Sequence, residues 1–158
     1  MVSKDDVFKK EITILDLDFD ISSLYKGFKQ KVESLGYALI EKDHATKSGK
    51  YGDEIRFKLA LDREIDDFGK CEGEVEMSFE NLKRGKGKEH GDAKIKLKLT
   101  QVLDFKNRWG MKKINQLFFK IYKKVKKSEL DGKYEDPLLA DGGEMYNFLK
   151  DSLGLERA

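Results

Sequence analysis

The chain is 158 residues long with 39% hydrophobic and 11% aromatic side chains, enough for one ordinary core and too little for two. Charged residues make up 39%, well above the roughly 25% of typical globular chains, so the surface must be densely ionic. One cysteine, Cys71, excludes an internal disulfide and a multi-cysteine zinc site and fits a reducing compartment. The opening MVSKDDVFKK has no apolar leader core, and no window approaches the roughly 18 apolar residues of a membrane span, so a cytoplasmic location is expected.

In chain order, residues 1–6 are polar and are expected to fray. Ile12, Ile14, Leu17 and Phe19 then form a broken alternation whose slip at Ile14-Leu15 predicts a bulged first strand. Asp20 is placed to cap a helix. Ile21, Leu24, Tyr25, Phe28, Val32 and Leu35 recur at three- and four-residue spacing, and Gly36 supplies a left-handed stop. Gly27 inside that helix costs about 1 kcal/mol against alanine and suggests a close approach to the sheet.

From Tyr37 the period becomes two. A strand is expected over 37–47, closed by the turn-like run 48–52, followed by a second in which Ile55, Phe57, Leu59 and Leu61 alternate with polar residues. The next strand turns Cys71, Gly73, Val75, Met77 and Phe79 inward and Glu72, Glu74, Glu76 and Glu80 outward. After a glycine-punctuated turn at 83–91, its successor turns Ala93, Ile95, Leu97 and Leu99 inward and Lys94, Lys96 and Lys98 outward. Folding about that turn sets Glu76 near Lys96 and Glu74 near Lys98, opposite charges that favour the pairing by roughly 0.2–1 kcal/mol each.

The net charge of +2 conceals a basic centre. Residues 83–127 hold sixteen basic and three acidic side chains, net +13, between flanks of net −6 and −5. Its C-terminal part predicts a helix. Met111, Ile114, Leu117, Phe118, Ile121 and Val125 share one face, expected to lie on the sheet, while seven lysines fill the opposite arc. Phe119 falls inside the lysine arc. Either it meets a C-terminal helix at Met145 or Phe148, or it is free to stack on a partner. Residues 128–143, acidic and containing the only proline, Pro137, read as a linker, and 144–158 as a short helix docked on a 1–127 core.

Catalytic motifs are not evident. His44 and His90 lack partners at metal-ligand spacing, Cys71 sits on an inward face, and Gly85-Lys86-Gly87-Lys88 has neither phosphate-loop spacing nor a following helix. No cofactor, metal or catalytic residue is therefore expected. The element order β-α-β-β-β-β-α-α predicts a single α+β domain with about five antiparallel strands and helices on one face. That order is similar to the helix-grip arrangement of START-like proteins, and the resemblance implies a hydrophobic-ligand cavity between the sheet and the long basic helix.

The leading expectation is a non-enzymatic binding protein that meets an anionic partner, RNA, DNA or a nucleoprotein, through Lys83, Arg84, Lys86 and Lys88 of the turn and Lys112, Lys113, Phe119, Lys120, Lys123, Lys124, Lys126 and Lys127 of the helix. A small hydrophobic ligand is the alternative. A membrane partner is disfavoured, because the apolar residues of the basic helix are expected to be needed for the core.

Overall fold

A computed structural model describes residues 2–50, 52–84, 89–107 and 113–154, leaving out the Arg84 side chain. The elements run β1 (Ser3–Phe19), α1 (Ile21–Ser34), β2 (Ala38–Gly49), β3 (Gly52–Glu64), β4 (Gly69–Arg84), β5 (Glu89–Leu103), α2 (Lys113–Val125), α3 (Lys127–Leu130), a π-helical turn (Asp131–Glu135) and α4 (Asp136–Ser152). The strands form one antiparallel sheet in the order β1-β5-β4-β3-β2, a single-domain α+β fold.

Two-residue alternation gives the sheet an apolar and an ionic face. Val75, Met77, Phe79, Ile95, Leu97 and Leu99 are buried beneath α1 and α4, which cover the same side. Ile21, Leu24, Phe28 and Val32 of α1 join them, each worth about 1.5–3 kcal/mol of apolar transfer before chain entropy is charged. Asp20 caps α1 by accepting the Ser23 N–H at 3.1 Å, and Gly36 ends it at φ +92°. Gly27 does mark a close approach, though to α4 rather than to the sheet: a Cβ there would lie 2.8 Å from the Phe148 ring.

On the ionic face the hairpin register is the one the charges favour, with Glu76 opposite Lys96 and Glu74 opposite Lys98. One row crosses all five strands with alternating sign, Glu11, Lys96, Glu76, Lys58 and Asp43. The ion pairs of the β5 lysines nevertheless run to β1, Lys94 to Glu11 at 3.3 Å and Lys98 to Asp6 at 3.9 Å.

Three expectations change. Residues 3–6 do not fray, because Ser3–Asp6 pair with Leu103–Thr100 and complete β1. The bulge lies between Ile14 and Leu17, as the slip suggested, with Asp16 at φ 58°. The segment read as an acidic linker is helical. Pro137 stands in the first turn of α4, where its missing N–H costs nothing, and Gly142 leaves room for the Phe8 ring, which a Cβ would approach to 2.6 Å. The helix seated on the sheet beside α1 is therefore α4, not the basic helix.

At the far end of the same face a second, smaller cluster holds Leu103, Phe119, Leu130 and Tyr134, with Ile65 and Phe68 packed against it. Phe68, in the β3–β4 turn, is its hub. Its ring lies 6.1 Å from Phe119, 6.1 Å from Tyr122 and 6.2 Å from Tyr134. Gly69 beside it has no side chain to block Tyr134, whose ring would stand 2.2 Å from a Cβ.

Asp66 ties this cluster down. Its Oδ1 accepts the N–H groups of Phe68 at 2.8 Å and Gly69 at 2.7 Å, and its Oδ2 accepts the Tyr134 hydroxyl and the Lys133 ammonium, both at 2.7 Å. Burial works against the carboxylate, but hydrogen bonds from Lys133, the Gly69 N–H and Tyr134 outweigh it and hold the carboxyl well below its ordinary 3.8. A depressed folded-state pKa gives stability that is complete above the unfolded value and lost as pH falls through the folded one. Asp66→Asn is therefore expected to cost about 1–3 kcal/mol at neutral pH. The gap to the parent protein should narrow progressively in urea melts as pH is taken below 3.8. A gap that does not vary with pH would remove Asp66 from this role.

Candidate anion-binding and interfacial site

The second helix contains no glycine or proline and segregates its side chains into an apolar and a lysine-rich arc, so its helicity follows directly from the sequence. Its orientation is the reverse of that expected. Phe119 is 0% exposed, while Ile114 is 60%, Leu117 56%, Phe118 52%, Ile121 50% and Val125 73% exposed. The face turned to the protein carries Asn115, Gln116, Phe119 and Lys123, and the apolar stripe looks outward. The physical reason is that the sheet's apolar face is already covered by α1 and α4, leaving only the small site around Phe68 for one aromatic ring.

Phe119 therefore cannot stack on a base, and its neighbours are not Met145 or Phe148 but Leu103, Leu130, Tyr134 and Phe68. Lys113, Lys120, Lys124, Lys126 and Lys127 are exposed, and Lys123 is half-buried, donating to Ser3 Oγ at 2.7 Å with its ammonium 5.5 Å from the Phe119 ring centre. Lys126 pairs with Glu129 at 3.6 Å. Lys83 is exposed at the end of β4, and Arg84 is described only in its backbone. Lys86, Lys88, Lys112, Met111 and Trp109 lie outside the described residues.

Between the lysine arc and the inner face of the β1–β5 end lies a cleft of about 320 Å³. Lys120, Lys123 and Lys124 of α2, at i, i+3, i+4 spacing, line one wall together with Lys127 of α3. Asp5, Gln101 and Leu103 line the other, with Leu130 and Asp131 closing the end. Ser3, Gln101 and Phe68 could not be found from the sequence, because strand ends and turns carry too short an alternation to place them opposite a later helix. A larger hollow, about 480 Å³, lies on the ionic sheet face, but its Lys9, Glu11, Glu76 and Lys96 answer one another and leave little net attraction.

Other reactive groups are engaged. Cys71 is buried, and burial pushes its thiol up to about 12, so it packs as a small apolar residue. His90 is held between the carboxylates of Asp18 and Asp16, whose hydrogen bonds raise its pKa above 6.5. Among the described residues no group of three or more His, Cys, Asp or Glu side chains could hold a metal ion, and no helix is long and apolar enough to cross a membrane. The space where a helix-grip carrier would hold its ligand is occupied by fully buried side chains, among them Phe28, Phe79, Met77, Met145 and Leu149.

The fold and this flank define an antiparallel α+β domain bearing an outward-facing cationic amphipathic helix. No known protein family and no curated protein matches the chain.

Proposed function

We propose that the protein is a non-enzymatic binding protein that engages an anionic partner through α2, and that this partner is an anionic lipid surface. The observation that carries the reading is the exposed stripe of Ile114, Leu117, Phe118, Ile121 and Val125, bordered along one side by Lys113, Lys120 and Lys124. A contiguous exposed apolar stripe marks an interaction surface. A helix about 20 Å long with such a stripe and a basic border is suited to lie in the plane of a bilayer interface, apolar face down and lysines at headgroup level. Nucleic acid offers phosphates for the lysines but no apolar surface for the stripe. The objection that these residues are needed for the core falls away, since they are not in it.

The test compares sedimentation with phosphatidylserine-containing vesicles, with neutral phosphatidylcholine vesicles, and binding to duplex DNA. Expected is binding to the anionic vesicles that weakens with salt, at about 1 kcal/mol per lysine near the surface. No binding to them at about 50 mM salt, together with a duplex affinity whose log-log salt slope is roughly −4, would replace this reading with the nucleic-acid one.

A further inference from the structure

The geometry points to the cleft between α2 and the β1–β5 end as a binding site for a single phosphate monoester group, whether on a free metabolite or on a lipid headgroup. Lys120, Lys123 and Lys124 of α2 and Lys127 of α3 converge on this hollow against only two carboxylates, Asp5 and Asp131, so their mutual repulsion is only partly offset. Lys120 and Lys124 have no ion-pair partner among the described residues.

An independent feature of the opposite wall points the same way. Gln101 is only 6% exposed, lines the cleft, and its side-chain amide has no hydrogen-bond partner among the described residues. No buried side-chain nitrogen or oxygen among the described residues lacks a partner, so the small exposed part of Gln101 is its amide end. Here the remaining open direction is the cleft, where an amide N–H can donate to a phosphate oxygen.

The lining charge sets the size of the ligand. Four lysines against Asp5 and Asp131 leave +2, which matches the charge of about −1.5 to −2 on one phosphate monoester. The two carboxylates in the lining disfavour a long polyanion, while a compact group can sit against the lysines. A volume of about 320 Å³ accommodates the phosphate with part of the organic group it esterifies. On the helical wheel Lys124 adjoins Leu117, the edge of the exposed stripe, so the cleft opens where a docked lipid headgroup would lie. The site does not require membrane docking, since a free phosphate ester meets the same groups.

The test titrates the full chain with glycerol phosphate and, separately, with dioctanoyl phosphatidate below its micelle concentration. Both titrations are followed by the NMR signals of the Gln101 side-chain amide and by calorimetry. Expected is saturable one-to-one binding that moves the Gln101 amide. The double substitution Lys120→Gln, Lys124→Gln should weaken it about tenfold or more, the effect of losing charge-assisted hydrogen bonds. The charge-matched control Lys113→Gln, Lys126→Gln, outside the cleft, should weaken it less than about threefold, as screened surface charges do. Much tighter binding of phosphatidate identifies a lipid headgroup as the source, and equal binding a free phosphate ester. Equal losses in the two double variants, or saturable binding of neither probe, would overturn the site. If glycerol phosphate binds while the vesicles do not, the cleft stands and the membrane reading falls.

Discussion

Replacing Phe119 by alanine is expected to cost about 3–5 kcal/mol, whereas the same change at its neighbour Phe118 should cost less than about 0.5 kcal/mol. The two side chains are adjacent in sequence and identical in chemistry. They differ in what surrounds them: Phe119 is enclosed by Leu103, Leu130, Tyr134 and Phe68, and Phe118 stands half in water. Truncating the first leaves a cavity beneath the helix and releases α2 from its main anchor. Truncating the second removes solvated surface and improves helix propensity. Urea melts of the two variants decide the matter. A larger loss for Phe118→Ala than for Phe119→Ala would mean that α2 packs with its other face inward, and the proposed lipid surface would be lost with it.

The double change Phe118→Ser, Ile121→Ser is expected to weaken binding to anionic vesicles about tenfold to hundredfold while leaving the protein folded, with a smaller loss of stability than Phe119→Ala. Each side chain is worth about 1.5–3 kcal/mol when moved wholly out of water. Phe118 and Ile121 are 52% and 50% exposed, so about half of that remains to be gained on docking. The two together then contribute about 1.5–3 kcal/mol, which sets the range. Removing two border lysines, Lys113→Gln with Lys124→Gln, should have an effect of similar size at low salt that fades as salt rises. Vesicle binding that is indifferent to the serine substitutions, measured at one salt concentration, would remove the stripe from the interface.

The contrast between the two phenylalanines also shows how far the sequence could be read. Strict alternation in residues 71–80 and 93–99 fixed both faces of the central hairpin, and opposite charges on its polar face fixed the register. The α1 pattern carried its own cap and stop in Asp20 and Gly36. Periodicity likewise showed that α2 is amphipathic, but it cannot say which face meets the protein. That depends on whether the rest of the chain has apolar surface left to cover, and α4 had taken it. The segment supplying α4 was hidden by its own residues, since Pro137, Gly142 and Gly143 resemble a linker in composition. Pro137 is harmless in a first helical turn, and Gly142 is required by the Phe8 ring. The one local clue was Phe119, an aromatic among lysines, which marked the inward face. The cleft depends on contacts between positions far apart in the chain, Gln101 with Lys120 and Ser3 with Lys123, and no local pattern encodes those.

The lysines bordering the α2 stripe give the protein a solution behaviour of its own. In dilute buffer their mutual repulsion keeps two stripes from meeting face to face, so the domain should stay dispersed despite its exposed aliphatic surface. Added salt screens that repulsion while leaving apolar attraction intact. Self-association should therefore strengthen with the same salt that would loosen the proposed attachment to an anionic surface.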